Sequence, residues 1–296
     1  MKVAITGSSG LIGTALTGAL RAAQHDVIRL VRSSPEAPDE VAWDPAGELD
    51  PATLEAVDAV VNLAAASVAD YRSSRAYRRA DRRSRVDASR SVATAMAAMD
   101  TPPPVLVSAS AISIYGTGHG ADVLDEDATG GAGYRAETYR ECEAAADPAR
   151  AAGVSVRHAR IGVVISPDAG VLARMVPLFR AGLGGPWGGG EQFWSIVSLD
   201  DTVRALQFMT ETVGLTGAYN VTAPLPVRNA EFARVLALEL RRPAIVPLPA
   251  GLLRLGLGGL ADDVLGSLRV IPRRLSMSGF EFAQPDARSM VHAARG

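Results

Sequence analysis

The run Lys2-Val3-Ala4-Ile5-Thr6 leads directly into Gly7-Ser8-Ser9-Gly10-Leu11-Ile12-Gly13, after which Leu16 and Leu20 recur at helical spacing. A β-type run, three glycines at intervals of three and an amphipathic repeat predict a strand, a tight turn and a helix. Positions without side chains let the backbone turn sharply and approach a ligand, and the N–H groups of the helix start attract an anion. The spacing Gly-x-x-Gly-x-x-Gly differs from the Gly-x-Gly-x-x-Gly fingerprint of dinucleotide sites, but its strand-turn-helix setting is the one such a site needs. The turn is therefore expected to hold a pyrophosphate through Gly7, Ser9, Gly10, Leu11, Ile12 and Gly13.

Asp26 to Val31 reads as a second strand, ending Leu30-Val31-Arg32-Ser33. NAD sites place a carboxylate at this end to receive the ribose hydroxyls, whereas Arg32 suits a 2′-phosphate. The expected cofactor is NADP(H). Alternation then continues with a strand at 57–65, a helix at 82–99, a strand at 105–110, a helix at 135–152 and a strand at 154–164. This is the pattern of an α/β fold, a doubly wound, mostly parallel Rossmann sheet. Asp147-Pro148 interrupts the helix at 135–152 and predicts a kink or a fresh helix start. Past Ser166 the texture changes. Residues 182–190 hold six glycines and one proline in nine positions, a flexible loop expected to cover a site. Residues 1–242 are expected to form the NADP(H)-binding domain, with 166–197 reaching to the substrate side, and 243–296 a small C-terminal lobe.

Composition narrows the function classes. Of 296 residues, 48% are apolar and 21% charged, which permits a sizeable core. A net charge of -2 and the absence of a long basic run argue against nucleic acid as a partner. Cys142 is the single cysteine, so neither an internal disulfide nor a cysteine metal cluster is available. No membrane span is expected: Arg254 and several glycines interrupt the apolar stretch at 252–260. Without a signal-peptide pattern at its start, the chain is expected to be cytoplasmic.

With these residues in view, the chain resembles the short-chain dehydrogenase/reductase superfamily, and within it an atypical, epimerase-like branch with a small C-terminal domain. The resemblance rests on Thr6-Gly7-x-x-Gly10-x-x-Gly13, Asn62-Leu63-Ala64, Ser84-Arg85, Ser108-Ala109-Ser110-Ala111 leading to Tyr115-Gly116, and Arg160-x-Gly162-Val163-Val164. It continues through Gly184-Gly185-Pro186, Trp194 to Asp201, Tyr219-Asn220-Val221, Arg242-Pro243 and Pro272-x-x-Leu275-x-x-x-Gly279-Phe280. It implies that Asn62, Leu63, Ala64 and Ala65 line the cofactor ribose, that Ser110 sits beside the nicotinamide, and that Asp201 anchors a substrate-side loop. Bland alternatives stand beside each: Asn62 capping a strand end, Ser110 bonding backbone, Asp201 capping a helix. The two helices at 82–99 and 135–152 pair between subunits in many relatives, which suggests a homodimer.

One departure bears on chemistry. Most of the superfamily uses Tyr-x-x-x-Lys, in which the lysine charge assists proton exchange at the tyrosine. Lys2 is the sole lysine here, so no such pair exists. Tyr134 is the expected proton donor, with Tyr115, His119 and Glu126 as further candidates; Tyr139 stands four residues before Glu143 and gains no cation from that spacing. His119 reads more readily as an exposed loop residue and Glu126 as a solvated acid. Where relatives show Trp-Ile-His before the aspartate pair, Ser198 replaces the histidine. The residues are compatible with an oxidoreductase or epimerase acting on a small carbonyl or sugar-like molecule. They are also compatible with an NADP(H)-binding regulator or scaffold without turnover, and with a nonredox isomerase or lyase retaining the cofactor.

Overall fold

The computed structural model describes residues 1–65, 74–257 and 260–294. Its centre is a parallel sheet of seven strands: β1 (Lys2–Thr6), β2 (Asp26–Val31), β3 (Glu40–Ala42), β4 (Ala59–Asn62), β5 (Val105–Ala111), β7 (Ser155–Ile161) and β11 (Gly217–Val221). They lie in the order β11-β7-β5-β4-β1-β2-β3, so the chain reverses direction across the sheet between β1 and β4. Ligands of doubly wound sheets bind outside the carboxyl ends of the strands at such a reversal.

Both faces are covered because successive strand residues point to opposite sides. From β1, Val3 and Ile5 pack with Leu16 and Leu20 of α1 (Leu11–Ala22) and with Leu206 and Met209 of α6 (Leu199–Glu211). Ala4, between them, joins Val92 and Met96 of α2 (Arg75–Ala97) on the other face. The second layer is completed by α3 (Tyr134–Ala144) and α4 (Asp147–Ala151), and the helix break falls where Pro148 required it. Helix α2 starts seven residues before the sequence expectation, with the Ser74 hydroxyl accepting from the Tyr77 N–H at 3.1 Å.

The strand expected at 154–164 is two strands. At Gly162 the chain leaves the large sheet, and β8 (Val163–Ile165) pairs instead with β10 (Ile196–Ser198). A Cβ at Gly162 would sit 2.4 Å from the Ser195 carbonyl oxygen, so this crossing needs glycine. Short pairs join β9 (Phe193–Trp194) to β12 (Val227–Arg228) and β6 (Val123–Leu124) to β13 (Arg269–Val270). Beyond the sheet, α5 (Gly170–Arg180) and α7 (Asn229–Leu240) share one apolar cluster with α8 (Ala250–Leu257), α9 (Leu260–Leu265) and α11 (Ala287–Ala293). The C-terminal segment thus shares its core with residues on both sides of position 243. Through Leu275 of α10 (Arg273–Met277) and Phe280 it also returns to the layer beneath α6.

The glycine-rich loop at 182–190 is tied down, contrary to its composition. Val246 N donates to the Gly184 carbonyl at 3.0 Å, Gly188 N to the Leu248 carbonyl at 2.9 Å, and Trp187 N to Asn229 Oδ1 at 2.7 Å. A Cβ at Gly185 would meet the Val246 carbonyl oxygen at 2.1 Å, so glycine here serves close approach of two chain segments.

Candidate functional site

A cavity of about 1410 Å³ runs along the carboxyl ends of the strands, from Arg32 and Ser33 past Gly7 to Leu11 and Leu63 to Ala65, on to Ala111 to Ser113, and up to Trp187 and Trp194. Small-ligand pockets occupy roughly 300–1000 Å³, so this space suits a dinucleotide with a second molecule beside it.

The glycine turn is built by steric necessity. Gly7 has φ +66°, and a Cβ there would lie 2.6 Å from the Leu63 carbonyl oxygen. A Cβ at Gly13 would lie 2.2 Å from the Gly7 carbonyl oxygen, which lets helix α1 press against the turn. Gly10 caps α1 with no side-chain bond, leaving the N–H groups of its first turn open to an anion. Of the residues expected from the turn, Gly7, Ser9, Gly10 and Leu11 line the cavity. Gly13 is buried behind it and Ile12 packs on the core.

Arg32 and Arg29 contrast at the end of β2. Arg29 is engaged by Asp39, at 2.7 and 3.0 Å, and by Glu40 at 3.0 Å. The Asp39 carboxyl is held at about 2, chiefly by its hydrogen bond from Arg29. Arg32 is exposed, lines the cavity beside Ser33 and has no ion pair among the described residues.

Two resemblance-based placements are corrected by strand parity. Asn62 is 4% exposed and faces α2: its Oδ1 accepts from Thr6 Oγ1 at 2.6 Å, and its Nδ2 donates to Ser89 Oγ at 3.2 Å. Its neighbours Leu63, Ala64 and Ala65 line the cavity; Asn62 only holds the strand end beneath them. Ser110 also points away, donating to Glu143 Oε1 at 2.7 Å, while Ala111 and Ser113 line the cavity. Residues alternate sides along β5, so a hydroxyl at 110 belongs to the helix face.

Behind Ser110 lies a buried polar chain. Arg160 donates from Nε and Nη2 to the two oxygens of Glu143, both at 2.9 Å, and from Nη1 to Tyr115 Oη at 3.0 Å. The Tyr115 hydroxyl donates to Asn220 Oδ1 at 2.8 Å, and Asn220 N donates to Glu126 Oε1 at 2.9 Å. Burial pushes the Tyr115 hydroxyl up, opposed by Arg160. Tyr115 is fully buried, so it is a structural link rather than a donor to a ligand. Glu126, read in the sequence as a solvated acid, is 6% exposed; burial pushes its carboxyl up despite backbone N–H donors from Asn220 and Arg274. His119 lies against the Tyr115 carbonyl through Nε2 at 2.7 Å, outside the cavity lining.

Tyr134 lines the cavity, with its hydroxyl directed at α2, on the Arg78 carbonyl and 3.3 Å from Asp81 Oδ2. One turn further on α3, Tyr139 also lines the cavity, and Arg85 of α2 lies 5.5 Å from its ring centre. The sequence comparison with Glu143 gave Tyr139 no cation because Arg85 comes from another helix.

Asp201 is fully buried and accepts from Ala283 N at 2.9 Å and Gln284 N at 2.8 Å, tying the C-terminal segment to α6. Ser198 takes the capping role, its hydroxyl accepting from Asp201 N at 3.0 Å. Ser198 thus starts a helix here. Among the described residues no group of histidine, cysteine or acidic side chains is arranged to hold a metal, and no helix is long and apolar enough to cross a membrane.

A parallel sheet reversing at a glycine turn, with a large cavity over its carboxyl ends, defines a dinucleotide-binding α/β protein. The chain belongs to the NAD dependent epimerase/dehydratase family, whose model matches residues 3–222; residues 248–294 match a domain of unknown function (DUF1731). It is 44% identical over 282 residues to the epimerase family protein Mb2239 of Mycobacterium bovis, covering 95% of this chain and 93% of that one. Human epimerase family protein SDR39U1 (isoform 2), crystallised with NADPH, has a TM-score of 0.90 at 29% identity, with 100% of both chains covered. A nucleoside-diphosphate sugar epimerase from Corynebacterium glutamicum has a TM-score of 0.83 at 30% identity; the match covers 99% of this chain and 58% of that one.

Proposed function

We propose that this protein is an NADP(H)-dependent oxidoreductase or epimerase-like enzyme acting on a small carbonyl or sugar-like molecule. The observation that carries this reading is the single cavity joining the glycine turn and Arg32 to the space between Ala111 and Trp194. Gly7, Ser9, Gly10 and Leu11 would hold the pyrophosphate, Arg32 and Ser33 the 2′-phosphate, and Leu63 to Ala65 the ribose. The cradle fits: Gly7 at φ +66° has no room for a Cβ beside the Leu63 carbonyl, the first turn of α1 is capped by Gly10 with no side-chain bond, and Arg32 has no competing carboxylate among the described residues. The human relative crystallised with NADPH supports the choice of cofactor. When bound, the nicotinamide supplies or accepts hydride; the chain positions a substrate over β5 and excludes water with Trp187, Trp194 and the tied glycine loop.

The test is a titration of the purified protein with NADPH and NADH, followed by Arg32→Ala. An exposed charge-assisted bond is worth about 1.5 kcal/mol, at the low end of its range, so NADPH binding is expected to weaken about tenfold while NADH binding holds. Tighter binding of NADH than of NADPH by the unaltered protein refutes the reading.

A further inference from the structure

We propose that Tyr139 is the proton donor of this site and that Arg85 is the cation that positions and supports it, in place of the absent lysine. The inference rests on the reading of the cavity as an NADP(H) and carbonyl site.

Sheet order locates the chemistry. With the pyrophosphate at the β1 turn and the 2′-phosphate at Arg32 beyond β2, the other half of the cofactor extends over the ends of β4 and β5. The reacting carbonyl therefore lies near Ala111 to Ser113. Tyr139 borders that place, packing in one apolar cluster with Ile112 and Ile114.

Its hydroxyl is distinguished from the other phenols around it. Tyr115 is committed to Asn220 and Arg160, and the Tyr134 hydroxyl is directed at α2. The Tyr139 hydroxyl has no hydrogen-bond partner among the described residues, yet it is not among the polar atoms sealed from solvent. The ring is 7% exposed, so only its cavity edge is open. Arg85 is fixed against it by Asp81, with Nε to Oδ1 at 3.0 Å. That carboxylate is itself buried, which holds the guanidinium in place 5.5 Å from the centre of the Tyr139 ring.

In the reductive direction a bound NADPH would supply hydride to the carbonyl carbon and leave as NADP⁺. Tyr139 Oη would give its proton to the carbonyl oxygen: that O–H bond breaks as the product O–H bond forms. The resulting tyrosinate is stabilised by Arg85 and recovers a proton from solvent at the cavity mouth. In oxidation the same proton moves the other way.

Two measurements test this on the full-length protein. Acetylation of the free protein with N-acetylimidazole, mapped by mass spectrometry, is expected to label Tyr139, to leave Tyr115 unlabelled, and to be suppressed by NADPH. NADPH oxidation with phenanthrenequinone as carbonyl probe is expected to fall about 10²- to 10⁴-fold in kcat for Tyr139→Phe, with NADPH affinity unchanged. Phenylalanine keeps the ring against Ile112 and Arg85, so the variant is expected to fold. Arg85→Lys is expected to retain most of the rate that Arg85→Gln loses. An unlabelled Tyr139, or a Tyr139→Phe protein as fast as the parent, overturns the assignment while leaving the cofactor site standing. A parent protein that fails to bind NADPH, or binds it and reduces no carbonyl probe, overturns the functional reading and this assignment together.

Discussion

Replacing Glu143 by glutamine removes one charge from the buried chain behind β5 and keeps its shape. The Glu143 and Arg160 side chains are 14% and 13% exposed, and they meet through two hydrogen bonds of 2.9 Å, with Ser110 adding a third of 2.7 Å. Removing one partner of a buried pair costs about 3–5 kcal/mol. Arg160 retains Tyr115 Oη at 3.0 Å and glutamine still offers one acceptor, so the lower end, about 3 kcal/mol, is expected. Unfolding entropy near 2.1 cal/mol/K per residue gives roughly 0.6 kcal/mol/K for a chain of this size, hence a fall in Tm of about 5 °C. The pH dependence supplies a second check. Burial alone raises the Glu143 carboxyl, but hydrogen bonds from Arg160 and the positive charges around it outweigh this and hold it below its usual range. The unfolded chain therefore binds this proton first as pH falls. The stabilisation is complete above the unfolded value of about 4.3 and is lost toward the lower folded value. Thermal melts of parent and Glu143→Gln across this range are thus expected to converge below about pH 4.3, with a slope approaching 1.4 kcal/mol per pH unit. Equal melting temperatures at neutral pH, or a gap as wide in acid as at neutrality, would refute the reasoning.

Gly13→Ala places a Cβ 2.2 Å from the Gly7 carbonyl oxygen and 2.8 Å from Ser8 Cα, both backbone, so the turn must move. A cost of about 1–3 kcal/mol and a loss of NADPH affinity of tenfold or more are expected by melting and titration, whereas Gly18→Ala, with open space around it, is expected to leave affinity unchanged. Asp201→Asn weakens the anchor on Ala283 and Gln284 by about 1.5–3 kcal/mol, and limited proteolysis is expected to cut near residue 284 sooner. An unaltered digestion pattern counts against that anchoring role.

What the sequence made legible was local. The strand, glycine turn and first helix follow from residues within twenty positions of each other, and Pro148 marked a helix boundary by its missing N–H. Contacts between distant segments were hidden. Six glycines in nine positions resembled a flexible flap, yet they let 184–188 lie against 246–248. Gly162 looked like part of a strand until the carbonyl of Ser195 crossed it.

The site illustrates the same division more sharply. Around β5 the motif Ser108-Ala109-Ser110-Ala111 identifies where a hydroxyl ought to act, but side-chain parity decides which face receives it. Ser110 fell on the helix face, where Glu143 Oε1 accepts its hydrogen bond. The spacing argument likewise sought a cation four residues after a tyrosine on one helix. Arg85 meets the Tyr139 ring from a neighbouring helix, more than fifty positions earlier in the chain, where no one-helix pattern reaches. A missing lysine in the sequence is therefore compatible with a cation at the phenol in the fold: proton transfer by a tyrosine is helped by a nearby positive charge, and packing of α2 on α3 brings Arg85 within 5.5 Å of the Tyr139 ring centre.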